Sequence, residues 1–117
     1  MPCAGVRYTF SASHVIADHP GKCRNLHGHN YTVELEVCRD SLDSLGMVID
    51  FGVVKQILRE VAGGLDHAHL NDVLGLRNAT CELIAMHIRK AVSERLGSGY
   101  AVRVKVYETP DSWCIDG

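Results

Sequence analysis

A chain of 117 residues and 12.8 kDa has room for one core, so a single domain over residues 1–117 is expected and a multi-domain machine is excluded. The formal net charge of -2, with 22% charged residues, provides no basic stripe for nucleic acid or an anionic membrane surface. The expected partners are a small molecule and further copies of the same chain.

No apolar run approaches the roughly 18 residues of a membrane span, and the opening "MPCAGVRYTF" has neither the charged start nor the long apolar stretch of a signal peptide. A cytoplasmic protein is expected. The five cysteines, at positions 3, 23, 38, 81 and 114, are odd in number and scattered, unlike a disulfide framework. Free thiols are expected. The sequon Asn78-Ala79-Thr80 is set aside, because a cytoplasmic chain does not meet the glycosylation machinery.

In chain order, Val6, Tyr8, Phe10 and Ala12 alternate with Arg7, Thr9 and Ser11, the period of a half-buried strand, and the same parity reaches His14. A second strand sets Tyr31, Val33, Leu35 and Val37 against Thr32, Glu34 and Glu36, and its parity extended backwards reaches His29 and His27. Asp50 can then cap a helix with an apolar stripe of Val54, Ile57, Leu58 and Val61, ended by Gly63-Gly64. Thr80 can cap another, with Glu82 in its first turn and Ile84, Ile88, Ala91, Val92 and Leu96 on one face, closing at Gly97. A third strand alternates Val102, Val104 and Val106 with Arg103, Lys105 and Tyr107, and its parity continues to Glu108. The segment "SWCIDG" is short and reads as a final edge strand. Cleanly alternating strands have one covered face, and two helices supply the cover, so the fold class is α+β with an antiparallel sheet of four strands and two helices on one face.

That parity aims His14, His27, His29 and Glu108 at the apolar face, where an unpaired polar group costs about 1–3 kcal/mol. Three histidines with an open fourth position are the ligand pattern of a catalytic zinc, and no C-x2-C pair points to a closed structural one. The competing reading of "HGH" is a turn with two exposed histidines. Cys23, between Lys22 and Arg24 in "CRNLHGHNY", is either a thiol activated by its flanking cations or a fourth zinc ligand. In "LDHAHLND", Asp66 with His67 or His69 could form a carboxylate–imidazole pair that orients a general base.

Six stretches, "FSASH", "CRNLHGHNY", "GMVIDF", "LDHAHLND", "NATCELIA" and "VYETPDSW", resemble in order and rough spacing the family of 6-pyruvoyltetrahydropterin and 6-carboxytetrahydropterin synthases. The resemblance runs along nearly the whole chain. It implies the tunnelling fold (T-fold), with zinc on His14, His27 and His29, Cys23 as proton acceptor, Asp66 and His67 as an assisting pair, and Glu108 as anchor of the pterin ring. His69 is then a variable position. It further implies homohexamers with sites at subunit contacts, so that Asp66 and His67 serve a zinc held by another subunit.

Three residues, Arg24-Asn25-Leu26, separate Cys23 from His27. This spacing is similar to bacterial 6-carboxytetrahydropterin synthases of queuosine and deazapurine synthesis, whereas five are typical of the 6-pyruvoyl enzymes of tetrahydrobiopterin synthesis. A sister group with glutamate in place of the cysteine does aldolase-type pterin chemistry, and Cys23 argues against it. The implied activity is that of a zinc-dependent lyase acting on 7,8-dihydroneopterin triphosphate, with Lys22 or Arg24 as candidate helpers of triphosphate loss. Cys81 departs from the family pattern, in which a serine or threonine is usual, as does the tail "CIDG", which lacks an aromatic.

Overall fold

The computed structural model describes all 117 residues. Strand β1 (Cys3–His14) and strand β2 (His27–Cys38) form a long antiparallel hairpin. Helix α1 (Phe51–Gly63), a single-turn helix α2 (Leu70–Leu74) and helix α3 (Cys81–Leu96) follow, and strands β3 (Ala101–Thr109) and β4 (Ser112–Asp116) complete the sheet. The strands lie in the order β1-β2-β3-β4, every neighbouring pair antiparallel. The α+β class, the four-stranded sheet and its helical cover are as expected from the alternation.

The parities place the core. Val6, Phe10, Ala12 and His14 of β1, Tyr31, Val33, Leu35 and Val37 of β2, and Val102, Val104 and Val106 of β3 are all buried on one face. Helices α1 and α3 cover that face, α1 with Val54, Leu58 and Ala62 and α3 with Cys81, Ile84, Ala85, Ile88 and Val92. Relative to the expected stripes, Ile57, Val61, Ala91 and Leu96 are only half-buried, while Ala62, Cys81 and Ala85 are fully enclosed.

Both expected helix caps form. The Asp50 carboxylate accepts from the Gly52 N–H at 2.6 Å and the Thr80 hydroxyl accepts from the Leu83 N–H at 3.2 Å, each satisfying a donor that the first helical turn leaves unpaired. Helix α2 was not visible in the periodicity. It is one turn long, buries only Leu70, and closes on Gly75, whose φ of 65° is the left-handed conformation glycine adopts without steric cost.

The connection from α1 to α3 docks on the outer edge of β1. His67 donates its backbone N–H to the Ser11 carbonyl at 2.6 Å, Ser13 donates to the Ala68 carbonyl at 3.0 Å, and Ile16 bridges to Asn78. The rest of that edge, from Cys3 to Thr9, and the outer edge of β4 bound the sheet.

The expectation of five free thiols fails at one pair. Cys3 and Cys38 face each other in the β1–β2 ladder with Cα atoms 4.0 Å apart, and they are disulfide-bonded; Cys23, Cys81 and Cys114 are free. Thirty-five residues of sequence separate the pair, and only the hairpin register makes them neighbours. Thiol titration of the denatured protein, after the pair has been oxidised in air, should therefore find three reactive groups, rising to five after reduction. Reduction should lower the unfolding free energy by about 2–4 kcal/mol in a denaturant titration, because the closed loop no longer restricts the unfolded chain.

Candidate active site

The histidines assemble because two strand parities meet in one register. His14 lies directly opposite His27, and Ala12 opposite His29, so His29 sits diagonally from His14 on the same face. Their ring centroids are 4.4 Å (His14–His27), 5.0 Å (His14–His29) and 5.0 Å (His27–His29) apart. One ligand atom from each lies within 4.8 Å of those from the other two, and Cys23 is not part of the group.

Tautomers follow from the partners. His14 Nδ1 is 2.7 Å from the Ala79 carbonyl and His27 Nδ1 is 2.7 Å from the Asn25 carbonyl. A carbonyl can only accept, so both Nδ1 atoms carry the proton and both Nε2 atoms are bare in the neutral rings. His29 Nε2 stands 3.1 Å from His14 Nε2. Two nitrogens on one tetrahedral zinc with bonds near 2.05 Å are about 3.3 Å apart, so the pair is already close to that spacing. Imidazole hydrogen-bonded at its far nitrogen and bare at the near one is the donor form that metal ions such as zinc take. The three side chains fit a metal ion.

Glu108, one residue past the Thr32–Tyr107 pair of the β2–β3 ladder, brings its carboxylate beside the histidines, 3.8 Å from His29 Nε2 and 4.0 Å from His14 Nε2. The floor of the site is aromatic. Tyr31 stacks on Phe10 at 5.1 Å and meets the rings of His14 and His29 edge-on at 5.8 and 5.4 Å.

Asp66 and His67 pair with each other, Asp66 Oδ2 lying 3.0 Å from His67 Nδ1, while Asp66 Oδ1 accepts from the Ser11 N–H at 3.0 Å. Those bonds, the Ser11 N–H first and His67 next, hold the Asp66 carboxyl below the usual aspartate range. The pair stands on the outer edge of β1, with the His67 side chain 84% exposed and its backbone at φ 57°. The left-handed backbone, uncommon outside glycine, turns the ring outward. His69 pairs differently, its Nδ1 2.9 Å from the Ser13 hydroxyl. A shallow hollow of about 610 Å³ is lined by His67, His69, Ser13, Gly28 and Asn30, among others, on that flank. Cys23, half-buried and free, lies in a 3-10 turn over Lys22–Arg24, whose Cys23 carbonyl accepts from the Ile16 N–H at 2.8 Å.

A family model described as 6-pyruvoyl tetrahydropterin synthase matches residues 4–116. The chain belongs to that family. Among its relatives, the 6-carboxy-5,6,7,8-tetrahydropterin synthase of Rickettsia felis is 32% identical over 127 residues, covering 90% of this chain and 92% of its own. The enzyme of the same name from Synechocystis is 42% identical over 92 residues, covering 74% and 71%. The structure of Caenorhabditis elegans 6-pyruvoyl tetrahydropterin synthase superposes with a TM-score of 0.82 over 99% of this chain and 96% of its own, at 24% identity, which establishes a shared fold.

In this member of the 6-pyruvoyl tetrahydropterin synthase family, several site groups had no sequence signal. The Ala79 and Asn25 carbonyls that orient two of the histidines are backbone atoms, available at any residue type. Tyr31 is legible as a core position, but its hydroxyl, fully buried and without a hydrogen-bond partner, is not; burial pushes that phenol well above its ordinary value. Burial likewise pushes the Cys81 thiol up, and the neutral thiol donates to the Val106 carbonyl at 3.2 Å.

Burial lowers His14 and His29 from the ordinary 6.5, outweighing the nearby Glu108 carboxylate, and burial also lowers His87. A histidine whose folded value is depressed contributes stability that is fully present above about 6.5 and is lost as pH falls through the lowered value, because the unfolded chain then binds more protons. The metal-free protein should melt at a lower temperature at pH 5.5 than at pH 7.5. In calorimetry, this slope should shrink in the variant His29→Gln.

Proposed function

We propose that the protein is a zinc-dependent 6-carboxy-5,6,7,8-tetrahydropterin synthase, converting 7,8-dihydroneopterin triphosphate and water to 6-carboxytetrahydropterin, acetaldehyde and triphosphate in queuosine and 7-deazapurine biosynthesis. The observation that carries this reading is the convergence of three histidine nitrogens, within 4.8 Å of one another, on an otherwise apolar sheet face, with the Glu108 carboxylate within 4.0 Å of two of them. The names of the relatives from Rickettsia felis and Synechocystis favour the same product, as does the short spacing from Cys23 to His27.

When bound by His14, His27 and His29, zinc supplies Lewis acidity that polarises side-chain oxygens of the substrate and so acidifies a neighbouring carbon-bound proton. The rest of the work falls to the chain. Glu108 anchors the ring, since a carboxylate accepts two hydrogen bonds from a guanidine-like pyrimidine edge. Cys23, in the 3-10 turn between Lys22 and Arg24, accepts and returns a proton. Asp66 holds His67 by Nδ1, leaving Nε2 to shuttle a second proton.

Within one chain, Asp66 and His67 occupy the outer edge of β1, while the three histidines face the core. A closed ring of copies, with the edge of β1 pairing with β4 of the next, would bring such a pair to a neighbour's metal, and a homohexamer is the assembly we propose. No helix is long and apolar enough to cross a membrane. The cytoplasm is the proposed compartment; there Cys3 and Cys38 would be held reduced, and the hairpin register alone would keep them together.

A second reading within the family, suggested by the description of the matching model, is 6-pyruvoyl synthesis, which eliminates triphosphate but keeps the carbon side chain. Product analysis with dihydroneopterin triphosphate decides between them: acetaldehyde in step with triphosphate is expected, and triphosphate without acetaldehyde selects the second reading. In the variant Cys23→Ala, bound zinc should stay near one per chain while turnover falls about hundredfold or more. Zinc lost together with activity would instead make Cys23 a ligand. Glu108→Gln should raise the dissociation constant for a non-reacting pterin with metal content unchanged. Mixing inactive Cys23→Ala and His67→Ala proteins, after dissociation and reassembly, should restore part of the activity if each site draws on two subunits.

A further inference from the structure

The stretch "LDHAHLND" contributes Asp66 and His67 to the proposed site, but Asn71, four residues after His67 in the same stretch, makes a denser set of bonds than either. Its Oδ1 accepts from the Val15 N–H at 2.8 Å. Its Nδ2 donates to the Val15 carbonyl at 2.8 Å and to the Arg77 carbonyl at 3.0 Å. The amide thus behaves like one residue of a neighbouring strand, occupying both backbone groups of the residue directly after His14. The same amide reaches the segment whose Ala79 carbonyl takes the His14 Nδ1 proton at 2.7 Å. Val15 and Ala79 are also tied directly, the Ala79 N–H donating to the Val15 carbonyl at 3.3 Å.

We infer that Asn71 is a positioning residue for the metal centre: it clamps Val15 to the 77–79 segment and so fixes His14 in the tautomer that keeps Nδ1 protonated and Nε2 bare. This inference rests on the reading of His14 as a metal ligand. The physical case is one of supply. His14 is fully buried, and its Nδ1 has a single partner, a carbonyl on a segment 65 residues away in sequence. A carbonyl on an untethered loop could drift out of hydrogen-bond range, and the imidazole would then be free to place its proton on Nε2, which points at the metal position. Asn71 is itself held, its own carbonyl accepting from the Leu76 N–H at 2.9 Å and the Gly75 cap closing the turn of α2 above it. No other residue type has an acceptor and two donor directions at this reach; aspartate keeps only the acceptor.

The test compares wild type with Asn71→Ala and Asn71→Asp, and uses Asp50→Ala, which removes the α1 cap, as a control for lost stability alone. Zinc affinity is measured by competition with a chromophoric chelator, and the His14 tautomer by nitrogen-15 NMR of the metal-free, folded protein. Wild type should show Nδ1 protonated. The Asn71 variants should show His14 as a tautomer mixture and bind zinc about tenfold or more weakly, the range expected when a partner of a ligating histidine is disturbed. Asp50→Ala should melt earlier but bind zinc as wild type does. Unchanged tautomer and affinity within twofold in the Asn71 variants would overturn the inference, and if the alanine variant does not fold, the aspartate variant decides alone. Wild type that binds no zinc would instead refute the metal reading, while the tautomer comparison would still decide the role of Asn71.

Discussion

An imidazole on the apolar face of a sheet is the constraint on which the rest of the molecule turns. His14 is the one fully buried histidine, and its two nitrogens must both be satisfied or exposed to something other than hydrocarbon. One is answered by a backbone carbonyl from a distant segment, and the other is left facing two further imidazoles. The connection between α1 and α3 is accordingly no free loop. It lies along β1 through bonds to Ser11, Ser13, Val15 and Ile16, delivering the Ala79 carbonyl at the one place where a donor needs it.

The β1–β2 ladder carries chemistry at both of its ends. Cys3 meets Cys38 at one and His14 meets His27 at the other, joined by a single uninterrupted register. A slip of one residue would send His27 and His29 to the outer face and part the two cysteines, so the buried aromatic pair Phe10–Tyr31 between them protects both. The period of two also sorts the histidines. Those at even positions of β1 and odd positions of β2 converge inward, while the edge of β1 offers its outward backbone groups to Asp66 and His67. The three histidines and the Asp66–His67 pair thus share one hairpin end but face different ways, which is why the proposed reaction calls for an assembly and not a lone subunit.

Around that site, the electrostatics and the packing pull in opposite directions. Burial favours neutral His14 and His29, which suits metal binding, and the Glu108 carboxylate nearby resists that shift without overcoming it. The same burial leaves the Tyr31 hydroxyl without a partner beneath the rings. A core that tolerates an unpaired hydroxyl and three imidazoles in one corner has given up local stability there, and the aliphatic layers of Val33, Leu35, Val104 and Ile88 beyond it supply the compensation.

The sequence alone determined the class of the fold and the membership of the core face, because alternation of side chains along a strand is fixed by backbone geometry and needs no knowledge of neighbours. It also determined the helix caps at Asp50 and Thr80, which are local bonds, and it aimed His14, His27, His29 and Glu108 at one face. Helix α2 escaped because one turn is too short to show a period. The disulfide escaped because cysteine spacing says nothing about which strands pair, and the register that joins Cys3 to Cys38 is a property of two strands together. Only the tertiary structure decided that three histidines meet at a common centre and that two of them turn a bare nitrogen to it, since the groups that set those two tautomers, the Ala79 and Asn25 carbonyls, belong to the backbone and leave no mark in the order of the residues.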